Sequence, residues 1–188
     1  MKNQKRLLRW ICAAVLAIAS APGALGQTKT GKHVKVPIVP ARPEDVSSPE
    51  RIVLADYESI SGGVGVPRQW TRDFALYDPH ARFFLVEKDA KTGELKITAP
   101  TFQEYTDESD ASLVKDGSVE RELAHKVYRY GNVATVFSSY EIKLSSTGEI
   151  VGRGVNIYQV YYARKRWWIS SVSWDAEHAI NEIPGELK

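Results

Sequence analysis

Cysteine is almost absent from this chain: Cys12 is the only one. It lies in an apolar N-terminal stretch with no small-residue lipobox before it, so lipid attachment is not expected. Without that stretch the chain has no thiol, which excludes disulfides, thiolate metal sites and a cysteine nucleophile. The excess of one charge over the other is small too, and a formal net charge of +2 gives no footing for nucleic acid. No apolar run approaches the ~20 residues that span a bilayer, so no stable membrane insertion is expected once the leader is cleaved. A Gly-x-Ser-x-Gly elbow is missing. The Ser61–Pro67 stretch, though rich in glycine, follows no strand and lacks the Lys-Ser/Thr ending of a phosphate loop. His33, His80 and His178 fall at no ligand-like spacing, and the acids Glu104, Asp107, Glu108 and Asp110 lack the alternation of a calcium loop. No metal and no cofactor is expected.

What is present reads as a leader and one domain. Lys2, Lys5, Arg6 and Arg9, the apolar run Trp10 to Ala19 and the small residues before Gln27 have the three parts of a secretory signal, implying export to the periplasm or medium. The expected division is 1–26 signal peptide, 27–46 flexible linker adding nothing to the core, 47–178 folded domain and 179–188 C-terminal tail. An apolar content of 43% against 26% charged residues supports a real core.

The domain opens with helical signals. Ser47-Ser48-Pro49-Glu50 predicts a helix start, with either serine able to cap and Glu50 placed to close a capping box on Ser47, and a helix to about Ile60. A second short helix over Arg68 to Leu76 puts Trp70, Phe74 and Tyr77 on one stripe. Asp78-Pro79-His80 reads as a turn into a strand from Ala81 to Val86, followed by a charged loop, a short strand Leu95 to Thr98 and a third helix from Pro100 to about Val114.

From Val119 to Trp174 the chain reads as an antiparallel meander. A two-residue turn at Gly131-Asn132 pairs Tyr130 with Val133, Val127 with Val136, His125 with Ser138 and Leu123 with Tyr140. On that parity His125 points inward beside Ser138, while Glu120, Glu122, Lys126, Glu141 and Lys143 face water. A second hairpin turns at Ala163 to Arg166. Both of its alternating sets carry large side chains, Val155, Ile157 and Tyr161 on one and Tyr158, Val160 and Tyr162 on the other, which predicts cover on both sides and hence a homodimer. The alternative is a set of tyrosines and tryptophans partly exposed at the sheet surface.

This order of elements, with Trp70, Asp73, Phe74 and Tyr77-Asp78-Pro79-His80-Ala81-Arg82-Phe83, the run Tyr130 to Ser138, Arg153-Gly154-Val155-Asn156 and Arg166-Trp167-Trp168-Ile169, resembles the SnoaL-like branch of the nuclear transport factor 2-like superfamily. The resemblance implies a cystatin-like or SnoaL-like α+β fold: a cone-shaped, curved antiparallel sheet packed against three N-terminal helices. It also implies a mostly apolar pocket inside the cone. In members resembling ketosteroid isomerase, a first-helix tyrosine and a late-strand acid form an oxyanion hole opposite an aspartate base. Tyr57 matches the tyrosine and Asn156 falls near the acid. The base position falls near Leu85, in a strand with no carboxylate before Glu87, so that machinery is incomplete.

Three functional readings follow. In the first, the domain binds a small, largely apolar molecule in a pocket lined by Tyr57, Trp70, Phe74, Ser138, Tyr140 and Asn156. In the second, His125 acts as the proton-transfer group of a dehydratase, isomerase or cyclase, with Tyr57 and Asn156 as donors; the plainer role for His125 is a neutral ring held by Ser138 or Tyr140. In the third, aromatic side chains fill the cone and the domain serves association. Fold analogy does not choose among these readings.

Overall fold

The computed structural model describes residues 33–88, 92–178 and 181–188. The expected leader, the first residues of the linker and part of the charged loop before Leu95 lie outside them.

Helix α1 spans Pro49–Ile60. Of the two candidate serines Ser48 is the cap, its hydroxyl accepting from Arg51 N at 3.2 Å, whereas Ser47 donates to the Glu44 carbonyl and forms no capping box with Glu50. Pro49 sits in the first turn, where its missing N–H costs nothing. The buried stripe of α1 carries Ile52, Val53, Asp56, Tyr57 and Ser59. Helix α2 is shorter than expected, Trp70–Phe74. Helix α3, Phe102–Asp116, begins with a capping box of Thr101 and Glu104 and ends at Gly117, whose φ of 63° is the left-handed geometry glycine accepts without strain.

Six strands form one sheet: β1 Tyr77–Lys88, β2 Leu95–Thr98, β3 Ser118–Tyr130, β4 Val133–Leu144, β5 Ile150–Ala163 and β6 Arg166–Ala176, in the order β2-β1-β6-β5-β4-β3. Strand β1 starts before the expected turn and absorbs Asp78-Pro79-His80 at a register irregularity between Tyr77 and Arg82, where proline does not break a ladder. The sheet is mixed rather than wholly antiparallel, because β6 runs parallel to β1. This follows from the path of the chain. After the β1–β2 hairpin at one edge, α3 carries the chain to the opposite edge, and the meander returns strand by strand until β6 meets β1.

The Gly131-Asn132 hairpin has the expected register, with Tyr130 opposite Val133, Val127 opposite Val136 and His125 opposite Ser138. Gly131 has a φ of 56°, as the first central residue of such a turn requires. Further along, the register departs. Ala124 lies opposite Ser139 but Glu122 lies opposite Tyr140, so Leu123 is an extra residue. A β-bulge of one residue reverses which side each preceding side chain faces. Glu120 and Glu122 therefore turn toward the helix-covered side, not toward water, and Val119 is exposed. Glu141 is also buried on the other side, with Arg121 at 3.0 Å; Lys126 and Lys143 are exposed as expected.

In the second hairpin Ala163 pairs with Arg166, so Arg164 and Lys165 alone make the turn, with φ of 52° and 65°. Tyr158 and Val160 face the core, while Val155, Ile157 and Tyr161 are half-buried on the outer side.

Two segments expected to be peripheral contribute to the packing. Val46 is buried and its carbonyl accepts from Trp167 N at 3.0 Å, while Val34 N donates to Asp107 Oδ1 at 2.8 Å. At the other end Ile183 and Leu187 are each 3% exposed, and Ser139 Oγ donates to the Leu187 carbonyl at 2.6 Å. Residues 33–46 are thus no loose linker and 181–188 no free tail. The first segment is held by Gln103 and Asp107 of α3 and by Trp167 of β6, and the second by β3 and β4, where each buries apolar side chains. Leu187→Ala should cost roughly 2–4 kcal/mol, as truncation of a buried leucine does. Urea unfolding reads this directly, and a change below about 0.5 kcal/mol would mean that the tail does not pack.

Candidate functional site

The helices and the inner side of the sheet enclose a cavity of about 150 Å³. That is roughly the share of five waters and less than the ~300 Å³ at which drug-sized pockets begin, so its scale suits a body of about one ring. Phe83, Leu85, Ile142, Val172 and Trp174 give it apolar walls. Its polar end is built from Asp56 of α1, Asp73 of α2 and Glu120 of β3.

Asp56 is 5% exposed and accepts from two tyrosines, Tyr77 Oη to Oδ1 at 2.6 Å and Tyr158 Oη to Oδ2 at 2.7 Å. Burial raises its pKa, while these donors favour the charged form. Asp73 is pushed well above the usual carboxylate range, first by burial and then by the neighbouring Asp56. Two carboxylates this close share a proton. The tyrosines hold the charge on Asp56, which leaves the proton on Asp73. Glu120 is pushed up to about 8 by burial and then by the charge of Asp56, against the opposing pull of the Asn156 amide, which donates to it at 3.2 Å. Burial thus favours the neutral forms of Asp73 and Glu120 in the empty cavity, while the two tyrosine donors favour the charge on Asp56.

A run of hydrogen bonds leads away from this wall. Asn156 Nδ2 donates to Tyr57 Oη at 3.1 Å, Tyr57 and Ser138 are 2.7 Å apart, and Ser138 Oγ donates to Glu122 Oε1 at 2.7 Å. The other oxygen of Glu122 meets His125 Nδ1 at 2.9 Å. A hydroxyl has one proton. Since that of Ser138 goes to Glu122, Tyr57 must donate to Ser138 and has no proton left for the cavity.

Of the expected pocket residues, Tyr140 and Asn156 are among the described residues that line the cavity. Tyr57 and Ser138 are buried outside that lining, hydrogen-bonded to each other and to Asn156 and Glu122. Trp70 and Phe74 pack into an aromatic cluster with Phe102, at centroid distances of 6.4 and 5.0 Å, and Trp70 Nε1 donates to Asp110. The His125 side chain is 37% exposed at the far end of the hydrogen-bonded run and lies outside the cavity wall.

Sequence reasoning passed over Asp56, Asp73 and Glu120 as site residues. For two of them a signal existed. Asp56 sits four after Ile52 and three after Val53 on the buried stripe of α1, and Asp73 falls between Trp70 and Phe74 on the stripe of α2; an acid inside an apolar helical face is either paired or functional. For Glu120 the alternation pointed outward, and only the bulge at Leu123 brings it in.

The raised pKa of Glu120 fixes a sign. Between its ordinary value of 4.5 and about 8 the folded protein keeps a proton that the unfolded chain releases, so stability falls as pH rises across that window and levels off above it. Glu120→Gln should match the parent near pH ~4 and exceed it by roughly 2–4 kcal/mol above pH ~8 in denaturant unfolding. Parallel stability curves for the two proteins would show that Glu120 is not held protonated.

No protein-family model matches the chain, and no curated protein does. Solved structures match at the level of fold. An NTF2-like (nuclear transport factor 2-like) protein of unknown function from Pseudomonas putida aligns with a TM-score of 0.53 at 10% identity, covering 79% of this chain and 99% of that one. A protein of unknown function with a cystatin-like fold from Nostoc punctiforme aligns with a TM-score of 0.51 at 9% identity, covering 70% of this chain and 95% of that one. The chain therefore has the α+β cone fold, a curved sheet closed by three helices, that NTF2-like and cystatin-like proteins share.

Proposed function

We propose that this domain binds a small molecule inside the cone, its apolar body against Phe83, Leu85, Val172 and Trp174 and its polar atoms toward Asn156 and Glu120. The observation that carries this reading is an apolar cavity with ionisable groups gathered at one end, the usual anatomy of a small-molecule site. Export belongs to the same reading and rests on the basic, apolar and small-residue parts of residues 1–26. So does pairing of two copies through the outer side of β5 and β6, supported by the half-exposed Val155, Ile157, Tyr161 and Trp168. Native mass spectrometry of the protein isolated from its own host should show a retained small mass. Val172→Phe, which fills the cavity from its wall, should lose that mass while keeping the fold by circular dichroism. Sedimentation of the same samples should give the mass of two copies. A bare protein whose melting temperature responds to no member of a small-molecule panel would remove the binding reading, and a single-copy mass would remove the pairing.

A second reading, proton-transfer catalysis, is favoured by one feature: Glu120 lines the cavity and titrates near the pH at which general acids and bases work. In this reading Glu120, not His125, exchanges the proton, and the Asn156 amide steadies the charged form. The protein should then speed exchange of the α-protons of cyclohexanone in heavy water, followed by NMR, with a drop of about a hundredfold in Glu120→Gln, the usual contribution of one general acid or base. Equal rates in the two proteins would exclude Glu120 as the exchanging group.

A further inference from the structure

The ionisable side chains around the cavity all have one sign. Asp56, Asp73 and Glu120 stand at the inner end, Glu108 and Asp116 nearer the surface, and no lysine, arginine or histidine is among the described residues that line it. Arg72, the cation whose field reaches Asp73, is committed elsewhere, to Asp45 at 2.7 and 2.8 Å and to Glu58 at 2.6 Å. An acidic wall alone could be a by-product of folding. The second observation is Asp73: it is 1% exposed, lies on the cavity wall, and apart from the proton it shares with Asp56 its carboxyl receives no donor among the described residues. Leaving a buried acceptor without a donor costs about 1–3 kcal/mol, which a ligand N–H would recover. Beside the acids stand the rings of Phe83, Tyr105 and Trp174, with Phe83 and Tyr105 stacked at 4.9 Å.

We propose that the inner end of the cone is a site for a small organic ammonium ion, whose N–H groups meet Asp73 and Glu120 beside the charge of Asp56 and whose apolar part lies against Phe83, Tyr105 and Trp174. This rests on the binding reading above and names its ligand class. Carboxylates answer the charge, and aromatic faces add cation–π attraction in a desolvated setting. A bare metal ion fits less well, since among the described residues no three carboxylate, histidine or cysteine side chains are grouped to hold one. The groups facing the incoming charge are Asp56 with Tyr77 and Tyr158, the Asp73 proton, and Glu120 with Asn156. Burial holds Asp73 and Glu120 in their neutral forms in the empty site. An arriving cation favours their charged forms, so binding expels protons and tightens as pH rises toward and past the titration of Glu120. An alkylammonium, like lysine, keeps its charge through this range.

The test is isothermal titration of the full chain with benzylammonium and with benzyl alcohol, of similar size, at about pH 6 and about pH 8.5, in buffers of different ionisation enthalpy. Benzylammonium should bind at least about tenfold more tightly than benzyl alcohol at the higher pH, and about tenfold more tightly there than at the lower, with proton release, a tenfold change matching one pKa unit of linkage. Asp73→Asn, nearly isosteric, should cut benzylammonium affinity about tenfold or more. It should leave benzyl alcohol affinity and the melting temperature near those of the parent, which separates a lost contact from a lost fold. If benzyl alcohol binds as tightly as benzylammonium at both pH values, the ammonium assignment falls and the small-molecule reading stands. Ammonium binding indifferent to both Asp73→Asn and Glu120→Gln places the cation elsewhere and overturns the site. If neither compound binds, the cone does not admit a one-ring ligand and both readings fall together.

Discussion

The architecture depends on Asp56, a buried carboxylate whose two oxygens accept from Tyr77 and Tyr158. Those tyrosines belong to β1 and β5, separated by β6 in the sheet, while Asp56 belongs to α1. One charge thus fixes the position of the first helix against two places on the sheet. Apolar contacts tolerate sliding; a desolvated anion that needs both of its donors does not. An apolar side chain here would remove the desolvation cost and could leave the protein more stable, as replacement of buried ionic groups often does. What it would lose is the field inside the cone, because the charge of Asp56 raises the pKa of both Asp73 and Glu120.

That field acts on Glu120 only because β3 carries one residue too many. With an unbroken alternation Glu120 and Glu122 would sit in water and Leu123 would take a place over the cavity. The bulge exchanges them. It splits the two acids between separate surroundings: Glu120 lies at the cavity with a single amide donor, and Glu122 accepts from Ser138 and meets His125 nearer the surface. Two glutamates two residues apart, on the same side of the same strand, thus receive different chemistry from the donors around them.

This division explains which parts of the molecule the sequence makes legible. Helix positions, the Gly131-Asn132 turn and the pairing out to His125 and Ser138 depend on local periodicity and turn chemistry, and they are readable. The parallel contact of β1 with β6 joins segments far apart in the chain and leaves no local mark. Nor does the bulge, since Glu-Leu-Ala-His alternates as well with Leu123 in the ladder as out of it. Every β3 residue before it therefore takes the side opposite to the one that alternation predicts. The ends are hard to read for a related reason: prolines at 37, 40 and 43 and a short polar terminus describe segments without regular structure, yet irregular backbone can still bury Val46, Ile183 and Leu187. Asp56 and Asp73 were visible as acids within apolar helical stripes, but that pattern does not reveal that the two helices bring them together.

The same hydrogen-bond directions decide how the cavity communicates with its surroundings. From Asn156 through Tyr57 and Ser138 every donor points toward Glu122, and His125 meets that carboxylate from the other side. Moving a proton from His125 to Glu120 along this path would require each hydroxyl to turn against its present acceptor and the Asn156 amide to give up and regain a proton, which an amide near neutral pH does not do. The run is a brace rather than a wire: it holds the Asn156 side chain against Glu120 and ties α1 to β4. The acids therefore meet solvent through the cavity itself, whose lining includes the more exposed Glu108 and Asp116. A ligand seated there would close the path by which Glu120 equilibrates with solvent, so occupancy of the cavity and the protonation of its acids are one coupled event.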